Sequence, residues 1–502
     1  MIVLLLLWFA AVLYVYYIWK KGSRNSENEP PMVPGAFPLV GHTHLLVGDS
    51  CHLWNAVKDL AYESLKVGGV ISAYIGPRTI YVITDPEDCL TVANTCLQKD
   101  AFYRFAKPWL GEGLVTGRLD LWKTHRRLLN PAFSHVVLDG FIDVFNRQSR
   151  RLVTELGAEV GNGPFDHVPY MRHNALETIC MTALGVDFND KELLNNQYMT
   201  AAEEMFNILV ERFQCIWMHF NYPYSFTKLK KRQDECLKIL HNMSNTVLQK
   251  RKLEMQANDN SSEEIAEQKF GKGSKFKPFI DLLLDLKGAF SDQEIREHVD
   301  TMIVGGHDTS AAVLMYTLLL LGSHPEAQEK AYAEIQEIFG DSDRDIEKAD
   351  LSRMAYTEAV LKESMRIYPI VPVTARYIDR DVKLKNYTLA RKRTCFTFLY
   401  GIHRHPAWGP DRELFIPERW FDPKRIPDNP NMFAPFNMGR RNCIGKNYAF
   451  MSMKISLAHL LRNYRISGDH SKLVIKIDVM LKPVSGHYIS LERRMDENNN
   501  KA

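Results

Sequence analysis

The stretch from Phe436 to Gly445, FNMGRRNCIG, constrains this 502-residue chain more than any other, because it surrounds one cysteine with features that favour a metal-bound thiolate. Gly439 and Gly445 permit tight turns and close backbone approach to a flat ligand, and Arg441 can hold an anionic group beside it. After Cys443 the apolar residues Ile444, Tyr448, Met451, Ile455 and Ala458 recur at helical spacing, which predicts a helix starting at the cysteine. A helix N-terminus lowers a thiol pKa, and its free N–H groups can hydrogen-bond the sulfur. The residues alone leave a second reading open, in which Cys443 is a small buried hydrophobe.

At every specified position this stretch resembles Phe-x-x-Gly-x-Arg-x-Cys-x-Gly, the haem-binding signature of the cytochrome P450 monooxygenases. The resemblance implies that Cys443 is the axial ligand of haem iron, with Phe436, Arg441 and Gly445 around the cofactor. It also implies the P450 fold: mainly α with a small β-rich part, here preceded by a single N-terminal transmembrane helix.

Composition sets wide bounds. Ordinary fractions of apolar (45%) and charged (25%) residues indicate a globular chain, and a net charge of +3 gives no case for nucleic-acid binding. The eight cysteines lack CxxC pairs and zinc spacing, which suggests a reducing compartment. Met1–Trp19 is uncharged and almost wholly apolar, and at 1.5 Å per residue it gives roughly 28 Å of helix, enough to span a bilayer once. A cleaved signal peptide is the competing reading, but there is no basic n-region and no clear small-x-small site. Lys20, Lys21 and Arg24 follow, which places the rest of the chain in the cytosol by the positive-inside rule. The expected organisation is an anchor over 1–19, a basic and proline-rich hinge over 20–38, a catalytic domain over 39–495 and a disordered tail over 496–502. The hinge resembles that of microsomal P450s, which implies the endoplasmic reticulum membrane.

Gly68–Thr84 reads as two β-rich runs around a turn at Gly76 and Pro77, and Tyr387–Tyr400 as further strands. In DLWKTHRRLLNPAF, Trp122 and Arg126 lie four apart on one helical face. Such a pair alone is more often packing plus a solvated charge; its order resembles the Trp-x-x-x-Arg element that contacts a haem propionate in P450s. Phe102–Thr116, aromatic and glycine-rich, reads as a mobile pocket wall. The aromatic-rich helical region Phe165–Lys252 would form the lid, and the polar stretch Met255–Lys277 reads as a loose connection.

Ser291 to Glu294 form a capping box, predicting a helix from about Ser291 toward Gly322. Its middle, Gly305-Gly306-His307-Asp308-Thr309-Ser310, puts two glycines inside a helix at about 1 kcal/mol each relative to Ala. Close helix packing would explain them. The stretch also resembles the P450 groove that accommodates dioxygen, in which Asp308 and Thr309 would serve proton delivery and Gly306 would border the cofactor. This relay argues against the haem-thiolate isomerases and dehydratases. The run Glu297 to Thr309 is most similar to the fourth P450 clan, which includes fatty-acid ω-hydroxylases and many insect enzymes. Many of those carry at the position of Gly305 a Glu that esterifies haem; its absence implies non-covalent haem b.

Glu363 and Arg366, three apart, would ordinarily be a surface ion pair. The resemblance makes them, with Arg419, a buried structural network, and takes Trp420 as an aromatic swap for the commoner Phe. Arg376 matches a second propionate contact, while His403 reads as a structural or propionate contact. The implied reaction inserts one atom of O2 into a lipophilic substrate, a fatty acid or related lipid or a xenobiotic. Electrons would come from NADPH through NADPH-cytochrome P450 reductase, with cytochrome b5 as a further partner. Lys123, Arg127, Arg440 and Lys446 would offer a basic docking face for that reductase. A non-catalytic haem- or lipophile-binding membrane protein is the alternative function, and a membrane scaffold a third.

Overall fold

The computed structural model describes residues 28–38, 40–76, 78–185, 196–257, 277–286 and 288–494, together with 9 and 12–14. The expected anchor and tail lie almost wholly outside the described residues, as does most of 258–277. The chain is predominantly helical with small sheets, as the P450 fold requires, and divides into two compact units.

The first unit comprises Met1–Phe102, Val371–Glu413 and Lys424–Asn442. Gly76, at φ 56°, turns the chain between β1 (Val70–Ile75) and β2 (Arg78–Ile83), the two runs anticipated from their β-branched content. They form a four-stranded sheet with β3 (Val373–Ile378) and β4 (Arg393–Phe398), in the order β1-β2-β4-β3. β2 and β4 are parallel, with Tyr81 opposite Cys395, and β4 and β3 are antiparallel, with Arg376 opposite Cys395. Helix α1 (Ser50–Lys66) covers this sheet, and α2 (Pro86–Thr95) begins on Asp85, whose carboxylate caps the amides of Glu87 and Asp88. Part of the proline-rich segment is docked on this unit. The amide of Val33 donates to the carbonyl of Ser72 at 2.9 Å, and that of Ser72 to Pro31 at 2.8 Å.

The second unit comprises Tyr103–Ile370, Leu414–Pro423 and Cys443–Ala502. Its longer helices are α3 (Leu119–Leu129), α4 (Ile142–Leu156), α5 (Val168–Ile179), α6 (Asn196–Gln214), α7 (Lys228–Ala257), α8 (Asp292–Ser323), α9 (Pro325–Phe339), α10 (Ala355–Ile367) and α11 (Lys446–Asn463). Strands β5 (Tyr464–Gly468) and β8 (Tyr488–Arg493) pair with each other, and β6 (Ile475–Asp478) with β7 (Met480–Pro483). Helix α7 continues to Ala257, so the polar connection expected from Met255 starts at least three residues later.

Helix α8 is the axis of this unit. The predicted capping box is present at Ser291 and Glu294, and the helix is buried along most of its length. Among the described residues it is the one helix long and apolar enough to cross a membrane, and that apolar window is 78% buried in the protein. It packs most extensively on α5, and approaches β5 so closely at Gly322 that a Cβ there would stand 2.8 Å from the amide nitrogen of Gly468.

Glu363 of α10 is fully buried with Arg366 and Arg419. Arg366 meets it through Nη2 at 2.7 Å and Nε at 2.9 Å, and Arg419 Nε at 3.3 Å. The Ile416 amide and the Trp420 indole N–H each add a bond at 3.1 Å. Trp420 is therefore more than a tolerated aromatic: it supplies a donor that Phe lacks. Trp420→Phe should lower unfolding stability by about 1.5 to 3 kcal/mol, the usual value of a hydrogen bond to a charged acceptor, as read from urea denaturation.

A histidine pair joins α3 to α8. His298 Nε2 and His125 Nδ1 lie 3.0 Å apart, both rings are buried, and Glu294 Oε1 stands 3.5 Å from His125 Nε2. Burial, then His125, pushes His298 down to about 3, against the opposing pull of Glu294. Its folded pKa lies below its ordinary value, so its contribution is complete above about pH 6.5 and is lost as the pH falls toward 3. His298→Gln should flatten the pH dependence of the urea midpoint between pH 6.5 and 4.5, removing a slope of at most about 1.4 kcal/mol per pH unit.

Candidate active site

Helix α11 starts at Lys446 with Gly445 as its cap residue, three residues after Cys443. Cys443 is exposed as a residue, while protein packs around its thiol. Burial pushes the thiol up from its ordinary value, while the backbone of Gly445 and the cation of Arg126 oppose it. The lowering expected from a helix N-terminus is thus outweighed by desolvation. A coordinated iron would complete the ionisation, since a thiol that ligates a metal is deprotonated outright.

Arg126 projects from α3, where Trp122 is buried one turn earlier. Its Nε donates to Asn130 Oδ1 at 2.9 Å, and Cys443 acts on its charge, so the structure brings these two predicted residues together. Arg376 and Arg441 belong to the first unit and are 1% and 7% exposed. Phe436, half-buried, belongs there too. His403 is buried: it accepts the amide of Ala434 at Nε2 (3.0 Å) and stacks on Phe433, contacts that fit a structural role.

The two glycines of α8 separate on inspection. A Cβ on Gly305 would meet nothing within 4 Å, whereas one on Gly306 would stand 2.6 Å from Cδ1 of Ile179 on α5. Gly306 therefore serves helix packing and Gly305 leaves open space. Thr309, one turn on, is half-buried on the same stripe, and its hydroxyl donates to the Gly305 carbonyl at 2.6 Å. That bond occupies the proton and leaves the oxygen lone pairs available as acceptors.

Asp308 points elsewhere. Its Oδ1 meets Arg172 Nε at 3.3 Å, and Arg172 Nη1 holds Glu203 at 2.8 Å. Burial opposes ionisation, but His307, Arg172 and Lys482 together hold the Asp308 carboxyl below its ordinary value. Oδ2 of Asp308 has no protein partner. Arg172 and Lys482 carry no short motif, so their part in this cluster was invisible before α5, α8 and β7 were packed together.

The expected mobile wall is pinned. Glu297 of α8 accepts the Glu112 amide at 2.9 Å, and a Cβ on Gly111, whose φ is 51°, would overlap the Glu297 carboxyl. Phe105, Trp109 and Leu110 from the same segment are buried.

Within the second unit, an exposed cysteine with a cation near it and an open stripe on a buried helix fit a flat, thiolate-ligated haem. Such a set defines a haem-thiolate oxidoreductase. The chain belongs to the cytochrome P450 family, whose sequence model matches residues 30–489. It is accordingly a monooxygenase that uses haem-thiolate chemistry, dioxygen and electrons from a redox partner on lipophilic substrates. Within the family it is similar to the 4-series: human cytochrome P450 4V2 is 32% identical over 477 residues, 92% of this chain and 90% of that protein. Cytochrome P450 4g15 of Drosophila melanogaster is 30% identical, covering 95% of each chain, and 4c21 of Blattella germanica is 34% identical over 86% of this chain and 87% of its own.

The glycine contrast gives a direct test. Gly305→Ala should raise the thermal unfolding temperature, by helix propensity worth about 1 kcal/mol, and Gly306→Ala should gain less or lose because Ile179 must shift.

Proposed function

We propose that this chain is a microsomal-type monooxygenase that hydroxylates a fatty acid, a related lipid or a foreign lipophile with electrons from NADPH-cytochrome P450 reductase. The observation that carries this reading is the accessible Gly305–Thr309 stripe on a helix buried along most of its length. A non-catalytic haem binder needs the cysteine but not this stripe.

Cys443 would be the axial ligand, with Gly445 and Phe436 bordering the cofactor. Trp122, Arg126, Arg376 and Arg441 would hold its propionates, Arg through paired donors suited to carboxylates. Bound haem would supply one-electron and oxygen chemistry, tuned by the thiolate. Thr309 would accept and pass a hydrogen bond at the open stripe. Asp308, kept ionised by its neighbours, would order water for that proton traffic and is poorly suited to donate a proton itself. Glu363, Arg366 and Arg419 act structurally. Gly305 offers no carboxylate, so the haem would be held without a covalent bond.

Lys123, Arg127 and Lys446 are exposed in the second unit and Arg440 in the first, which suits an acidic reductase or cytochrome b5. The apolar stretch Met1–Trp19 and the basic residues after it support a single-pass anchor in the endoplasmic reticulum with a cytosolic catalytic part.

The reduced, carbon-monoxide-bound protein should show the thiolate-type Soret band, and Cys443→Ser should abolish it; survival of the band in that variant would sink the assignment. Thr309→Ala should lower product formed per NADPH consumed by up to about 10²-fold while leaving that band in place.

A further inference from the structure

The ion cluster beside Asp308 draws its residues from four elements of the second unit that pack together: α5 and β7 lie against α8, and β6 lies against α6. Arg172 of α5 is at its centre, giving Nε to Asp308 Oδ1 at 3.3 Å and Nη1 to Glu203 of α6 at 2.8 Å. His307 Nδ1 stands 3.4 Å from the same Asp308 oxygen. Lys482 enters from β7, and its Nζ lies 4.8 Å from the ring centre of Phe206, one turn along α6 from Glu203.

Donors outnumber acceptors in this cluster. Among the described residues, Lys482 Nζ, Arg172 Nη2 and His307 Nε2 are buried without a protein partner, and the buried oxygen left unfilled is Asp308 Oδ2. The face of Phe206 attracts an ammonium but does not replace an oxygen acceptor. Charge points the same way. Glu203 is 41% exposed and screened by water, whereas the Arg172 and Asp308 side chains are 14% and 5% exposed. The buried part of the cluster thus sets Arg172 and Lys482 against Asp308 alone, an excess of one positive charge. Burial pushes the Lys482 ammonium below its ordinary value, and Asp308 opposes that push. A cation taken out of water is tolerated when an anion and its oxygens replace the lost hydration.

We infer that Lys482 Nζ and Arg172 Nη2 form a carboxylate-binding subsite, entered from the exposed side of Glu203, for the acidic head of a lipid or a small free carboxylate. A carboxylate there accepts from both cations through its two oxygens, in charge-assisted bonds that the protein itself leaves unmade. The Phe206 ring lies beside its first carbons. For the lipid source the inference rests on the hydroxylase reading above and adds the groups that fix one end of the molecule.

The test is calorimetric titration of octanoate, octanol and acetate into the full-length holoprotein in non-ionic detergent, as wild type, Lys482→Met and Lys482→Arg. Octanoate should bind Lys482→Met about tenfold to a hundredfold more weakly than wild type, the loss of a hydrogen bond to a charged group. Lys482→Arg should stay close to wild type, and octanol should bind all three alike. Acetate that binds wild type and weakens in Lys482→Met identifies a small free carboxylate as an occupant; octanoate that does so while acetate does not bind identifies the head of a lipid, and both results support the subsite. The inference fails if Lys482→Met binds octanoate as tightly as wild type, or if it weakens octanoate and octanol by the same factor, as a lysine that only packs would. It fails as well if wild type binds neither carboxylate. Lys482→Gln takes the same measurement if the Met variant does not accumulate. Lys482-dependent carboxylate binding in a protein without monooxygenase turnover overturns the hydroxylase reading and leaves the subsite standing, whereas turnover with indifferent Lys482 variants overturns the subsite alone.

Discussion

A single buried carboxylate, Glu363, holds the framework of the second unit. It is removed from water, and a charge in that position is tolerable only if donors surround it. Arg366 comes from its own helix, but the Ile416 amide, Arg419 and Trp420 come from the segment Leu414–Pro423, about fifty residues on. The carboxylate therefore fixes where that segment must lie, and removing it would leave two guanidiniums buried together. Such a cluster is a weak source of net stability, and breaking any one of its partners is costly because the buried charges then go uncompensated.

Around that framework, α8 combines burial with an opening. Most of its surface is packed, Gly306 against Ile179 and Gly322 against β5, while Gly305 is left bare. The adjacent residues Asp308 and Thr309 are divided by the 100° step of the helix. One faces an ion cluster with Arg172 and Glu203, the other the open stripe. Ionised carboxylate and free hydroxyl lone pairs are thus supplied by neighbours in sequence to different surroundings, which is how one helix can order water on one face and meet ligand on the other.

Much of this was legible before folding. The helix at Ser291, the strands around Gly76, the helix after Cys443 and the Trp122–Arg126 face all follow from local rules of capping, turn chemistry and period, which act over a few residues. What local rules could not weigh was competition between effects. The helix N-terminus argues for a low thiol pKa at Cys443, but desolvation is set by everything that packs around the sulfur, and it prevails. Trp420 read as a substitute for Phe because its indole N–H gains value only when Glu363 lies within reach.

Residue type and short spacing alone determined the family, the signature around Cys443 and the order of the motifs. Only the tertiary structure decided which glycine packs and which leaves space, and that Asp308 is claimed by Arg172. Each of those facts joins residues more than a hundred positions apart, and the charge or volume that one residue presents to another has no meaning until the chain has brought them together.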